Sequence, residues 1–147
     1  MFGKKSVLAI LLIVMVPGCA FIAAPLDSLS KSGWSPESRK GLLEKEIVDF
    51  HTNMFWGSLP RALSFVADER KEDLKWQLTN KKKIGRIIES KVEDVIFDEQ
   101  GYEATATVAV RMHQHSTNTI ESYTEIELWR YKSDKGWKLE TISEELV

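Results

Sequence analysis

The chain has 147 residues, room for one domain and too few for two. It is 43% hydrophobic and 29% charged, which supports a packed core and excludes a disordered chain. With 20 basic and 22 acidic residues the net charge is −2, so nothing electrostatic points to nucleic acid as a partner. The single cysteine excludes an internal disulfide and a cysteine-built zinc site.

The N-terminus carries Lys4 and Lys5 ahead of the apolar run 7–16. That is the layout of a secretory signal, and the run is shorter than the about 20 residues a membrane span needs. Val16-Pro17-Gly18-Cys19 follows. In Val16, Gly18 and Cys19 the segment resembles a bacterial lipoprotein precursor. The resemblance implies cleavage after Gly18, diacylglycerol on the Cys19 sulfur and acylation, for example by palmitate, of the new amine. Each buried methylene is worth about 0.8 kcal/mol, so two or more chains hold a protein stably at a bilayer. Ala20 stands where these lipoproteins carry aspartate for inner-membrane retention, which implies, in a cell that has an outer membrane, the periplasmic face of that membrane. The alternative is a plain secretory signal, which would leave a lone thiol in an oxidising compartment. Residues 1–18 are thus read as signal peptide, 19–35 as lipidated cysteine and flexible tether, and 36–147 as the folded domain. Pro25, Gly33 and the serines at 28, 30, 32 and 35 give the tether its character.

Ser35-Pro36 is a helix start, a hydroxyl cap followed by proline in the first turn. Leu43, Ile47, Phe50 and Met54 make one apolar stripe to about Trp56, where Gly57-Ser58 ends the helix. A short helix is expected over 60–66. A third should run from Glu69 to about Leu78, closed by Thr79-Asn80, with Lys81-Lys82-Lys83 as a solvated run beyond it.

From Ile84 the period changes to alternation. Ile84, Ile88, Val92 and Ile96 share one parity of a first strand. Residues 98–101 turn the chain. In the second strand Tyr102, Ala104, Ala106, Val108, Val110 and Met112 face one way. A turn at 116–118, a third strand over 119–131, a turn at 133–136 and a fourth strand over 137–143 complete the chain. Short turns make neighbouring strands antiparallel. The expected fold is α+β: three N-terminal helices packed on a curved four-stranded antiparallel meander, a cone.

That order resembles the nuclear transport factor two-like (cystatin-like) superfamily over residues 36–143. The likeness rests on the long first helix, Leu63-Ser64-Phe65-Val66 with Glu69-Arg70, the strand 92–98, Gly101 with 104–110, and Gly136-Trp137-Lys138-Leu139. It implies a cavity between helices and sheet, but no particular reaction. The superfamily includes ketosteroid isomerase, whose chemistry needs a carboxylate base and an oxyanion donor in an apolar cavity. That pair cannot be placed here, because the inward stripe of the second strand carries no acid.

His51, one residue from Phe50, can look into the cavity with Phe55, Tyr102 and Met112; a hydrogen-bonded core histidine is its bland reading. His113 and His115 share a strand face but lack a third ligand, so they read as surface histidines, and no metal or cofactor is assigned. In the third strand Ile126 and Leu128 have one parity; Tyr123, Trp129 and Tyr131 have the other, with Glu121, Glu125 and Glu127. If Ile126 and Leu128 point to the core, Tyr123, Trp129 and Tyr131 form an outer aromatic and acidic interaction surface. A bulge would reverse this and bury Trp129. Trp56, Trp76 and Trp137 are assigned to packing. No catalytic residue is identified. The expected function is therefore that of a membrane-anchored, non-enzymatic lipoprotein acting by contact with a protein partner or with itself. A binder of small apolar ligands, or an isomerase-like enzyme using the cavity, is the alternative.

Overall fold

The structure is a computed structural model and describes residues 33–146; Gly18, Cys19 and the signal lie outside the described residues. Helix α1 spans Pro36–Phe55 and starts where Ser35-Pro36 predicts. Its cap is reciprocal. The Ser38 amide donates to Ser35 Oγ at 3.1 Å, and the Ser35 amide donates to Ser38 Oγ at 3.2 Å. Ser35→Ala should lower stability by about 1 kcal/mol, read as a lower urea midpoint at unchanged slope.

Gly57, at φ +70°, takes the left-handed conformation that ends α1 and turns the chain into α2, Leu59–Ala62. Two 3₁₀ turns, Leu63–Phe65 and Asp68–Arg70, lead into α3, Lys71–Ile84. This helix runs past the stop expected at Thr79-Asn80. Leu74, Leu78 and Lys81 continue one buried stripe at helical spacing, and three lysines suit a helix C-terminus. Lys81, expected in solvent, is therefore buried.

Strands β1 (Gly85–Phe97), β2 (Glu103–Gln114), β3 (Ile120–Lys132) and β4 (Gly136–Leu146) form one antiparallel sheet in that order. The even-numbered stripe expected in β1 is broken. Register shifts at Ile87/Glu89 and Val92/Asp94 each change which parity points inward. Ile87 is buried, Val92, Val95 and Phe97 pack against the core, and Ile84 and Ile96 are exposed.

Strand β2 buries Ala104, Ala106, Val108, Val110 and Met112 as its alternation predicts. Tyr102 does not join them. It precedes the strand, is 43% exposed, and stacks under the Arg39 guanidinium at 4.2 Å.

The largest correction is in β3. The partners of Val110, Val108, Ala106 and Ala104 are Tyr123, Glu125, Glu127 and Trp129. Residues directly opposite in an antiparallel pair share a face. The clean inward face of β2 therefore carries these four inside, and Ile126 and Leu128 are only half-buried on the other face. Tyr123 and Trp129 are not an outer surface: Trp129 is 0% exposed. Tyr131 is half-buried, 5.5 Å from Trp137 and 6.2 Å from Tyr102 between ring centroids. Trp137 packs in the core as expected and donates to the Arg39 carbonyl at 2.7 Å. Trp56 and Trp76, also assigned to packing, are exposed. No helix among the described residues is long and apolar enough to cross a membrane.

Candidate functional site

The inward register of β3 places two acids in the core, and the helices supply cations to meet them. His51 of α1 reaches Glu127, with Nε2 to Oε1 at 2.7 Å. The Trp129 indole N–H donates to the other oxygen, Oε2, at 2.8 Å. Both Glu127 oxygens are thus engaged. Ala106 and Ala104 lie across the ladder from Glu127 and Trp129, so small residues leave room for this chain of bonds. Beside it, the Lys81 ammonium of α3 bonds Glu125 Oε1 and lies 2.7 Å from Glu144 Oε1 of β4. It also sits 5.1 Å over the Tyr123 ring. His51, Lys81, Glu125 and Glu127 are all buried, whereas Glu144 is half open to solvent.

Burial alone would lower the His51 pKa. The Glu127 hydrogen bond and the charges of Glu127 and Glu125 outweigh it, and the pKa is raised. Lys81 behaves the same way: burial opposes its charge, the Glu125 carboxylate favours it, and the pKa rises. Burial pushes the Tyr123 phenol up despite the nearby ammonium. His51 Nδ1 and the Tyr123 hydroxyl have no hydrogen-bond partner among the described residues.

One donor atom each from His51, Glu125 and Glu127 fall within 4.8 Å of one another, a set that a divalent metal could use. Two protein cations already serve these carboxylates, so a metal would have to displace Lys81 and the Nε2 proton of His51. His113 stays near its turn, bonded to Asn118 Oδ1 at 2.8 Å, and His115 is exposed 6.3 Å away.

A pocket of about 310 Å³ opens on the other side of Lys81, between the end of α1, α2, the last turns of α3 and the start of β1. Met54, Phe55, Leu59, Leu78 and Ile87 make its apolar walls; Lys81, Lys82, Arg86 and His115 are its basic residues, and Trp56 stands at its edge. Gly85 keeps one wall thin, since a Cβ there would lie 2.5 Å from the His113 carbonyl oxygen. Of the four residues assigned to a cavity by sequence, Phe55 lines this pocket, His51 and Met112 are buried core, and Tyr102 lies elsewhere. Lys81, Glu125 and Glu127 were missed. The pairing register was the signal that could have found the two acids.

Among solved structures, the chain is similar to a ketosteroid isomerase-like protein from Erwinia carotovora atroseptica. The TM-score is 0.58 at 13% identity, over 69% of this chain and 90% of that one. The domain has the nuclear transport factor two-like fold. A SEC-C motif containing protein from Rhodopseudomonas palustris is also similar, with a TM-score of 0.51 at 18% identity over 84% of this chain and 88% of that one. No protein-family model and no curated protein matches the sequence. At such identities the likeness extends to the fold alone, and what this domain does rests on its own side chains.

Proposed function

We propose that the chain is a lipid-anchored envelope protein whose domain is a non-enzymatic binding module for a small apolar ligand. The pocket beside Lys81 carries this reading: its walls are mainly apolar, it has a few polar groups on one side, and its size is at the lower end for a ligand site. The buried acids favour binding over catalysis. Glu127 is committed to His51 and Trp129, Glu125 is committed to Lys81, and neither lines the pocket, where a general base would have to meet a substrate proton. Val16, Gly18 and Cys19 support the anchor, at the periplasmic face of the outer membrane.

A titration of the isotope-labelled chain with 1-octanol, followed by amide NMR, tests the binding module. Shifts should centre on residues 54–59 and 85–87. No shifts there up to the solubility limit would remove the reading. Radiolabelled palmitate should enter the chain and fail to enter Cys19→Ser. A second reading, contact with a protein partner or a second copy, is favoured by the exposure of Trp34, Trp56 and Trp76. Sedimentation would reveal the self-association that it allows.

A further inference from the structure

We infer that the ligand of this pocket is a single-chain amphipathic carboxylate, its head group held by Arg86 and Lys82 and its chain against Phe55, Leu59 and Ile87. The inference rests on the binding-module reading and names its ligand class. Charge imbalance is the deciding observation. The pocket is lined by three permanent cations and no carboxylate, on a chain with more acidic than basic residues. Lys81 is already neutralised by Glu125 and Glu144. Lys82 is not: among the described residues its ammonium donates only to the uncharged Gly57 carbonyl, at 2.9 Å. Arg86 makes no ion pair among the described residues, and its guanidinium lies 5.6 Å over the Phe55 ring.

That stacking matters. It holds the planar fork at the edge of the apolar wall with its donors unspent, the geometry suited to taking a carboxylate with two parallel bonds. Low-dielectric walls around two uncompensated cations focus a positive potential into the opening. A neutral apolar molecule would leave that potential unused, and a cation would be repelled by it. The small volume limits the body to one short chain or ring rather than a two-chain lipid.

Calorimetry on the full chain carrying Cys19→Ser separates the outcomes. The probes are octanoate, 1-octanol, octylammonium and vesicles of dioleoylphosphatidylglycerol. Octanoate should bind at least tenfold tighter than 1-octanol, more weakly at high salt, and octylammonium should not bind. Arg86→Gln with Lys82→Gln, both at exposed positions, should bring octanoate down to the level of 1-octanol measured on the same variant. Equal binding of octanoate and 1-octanol would overturn the head-group assignment and leave the binding module standing. So would an octanoate preference that survives the double variant. Binding to vesicles without binding of octanoate would overturn it in favour of a membrane surface. Binding of none of the probes would remove the module as well.

Discussion

Lys81→Met is expected to destabilise the fold by about 3–5 kcal/mol, the usual result of removing one partner from a buried ion pair. The side chain keeps nearly its length and apolar stem, so packing on Leu78 and the pocket wall changes little. What is lost is the charge. Glu125 is 2% exposed, and among the described residues Lys81 is the one cation bonded to it, with His51 feeling its charge from nearby. Without it the carboxylate must be buried unpaired or take up a proton. Glu144, half open to solvent, can turn to water and contributes little to the loss. The double variant Lys81→Met with Glu125→Gln removes both charges and should recover most of the stability. Urea unfolding of the parent, the single and the double variant at pH 7 gives the comparison. A single variant within about 0.5 kcal/mol of the parent would mean that Glu125 finds water or another donor.

Most of the architecture was legible because local signals act over a few residues. Ser35-Pro36, the 4-3-4 spacing from Leu43 to Met54, and the alternation from Ala104 to Met112 each define one element unaided. The site was not legible, because it depends on register between elements. In β3 the even parity offers Ile120, Ile126 and Leu128, while the odd parity mixes Tyr123, Trp129 and Tyr131 with three glutamates. Reading hydrophobicity along that strand alone turns the acids outward. The hairpin decides otherwise. The Gln114 amide donates to the Thr119 carbonyl at 2.8 Å, closing the turn so that every even residue of β2 faces an odd residue of β3. Since β2 has an unambiguous inner face, Glu125 and Glu127 follow it inside. Lys81 was hidden for a similar reason. In a run of three lysines only the helical phase set by Leu74 and Leu78 distinguishes the buried one. The bulges of β1 leave no sequence mark: Ile88 and Glu93 are ordinary strand residues.

Glu127→Gln is expected to cost about 2–4 kcal/mol near pH 6 and to reverse the pH dependence of stability between pH 6 and 8. The glutamine keeps one oxygen, which can serve His51 or the Trp129 indole but not both well, and its amide turns a donor toward a donor. His51 is faced by Glu127 and Glu125 from β3 and feels the Lys81 ammonium of α3. In the parent its folded pKa lies above the ordinary 6.5, because the carboxylates outweigh burial. The stabilisation is therefore fully present below about 6.5 and is lost as pH rises through the folded value. Parent stability should fall from pH 6 toward 8. In Glu127→Gln the hydrogen bond to a carboxylate and the nearest negative charge are gone, and burial becomes the larger influence on an imidazole that is 4% exposed. The pKa should then drop below 6.5, and stability should rise with pH across the same interval. Imidazole proton shifts followed by NMR locate each pKa directly. A parent His51 that titrates below 6.5 would show that burial dominates and that its imidazole is neutral at pH 7.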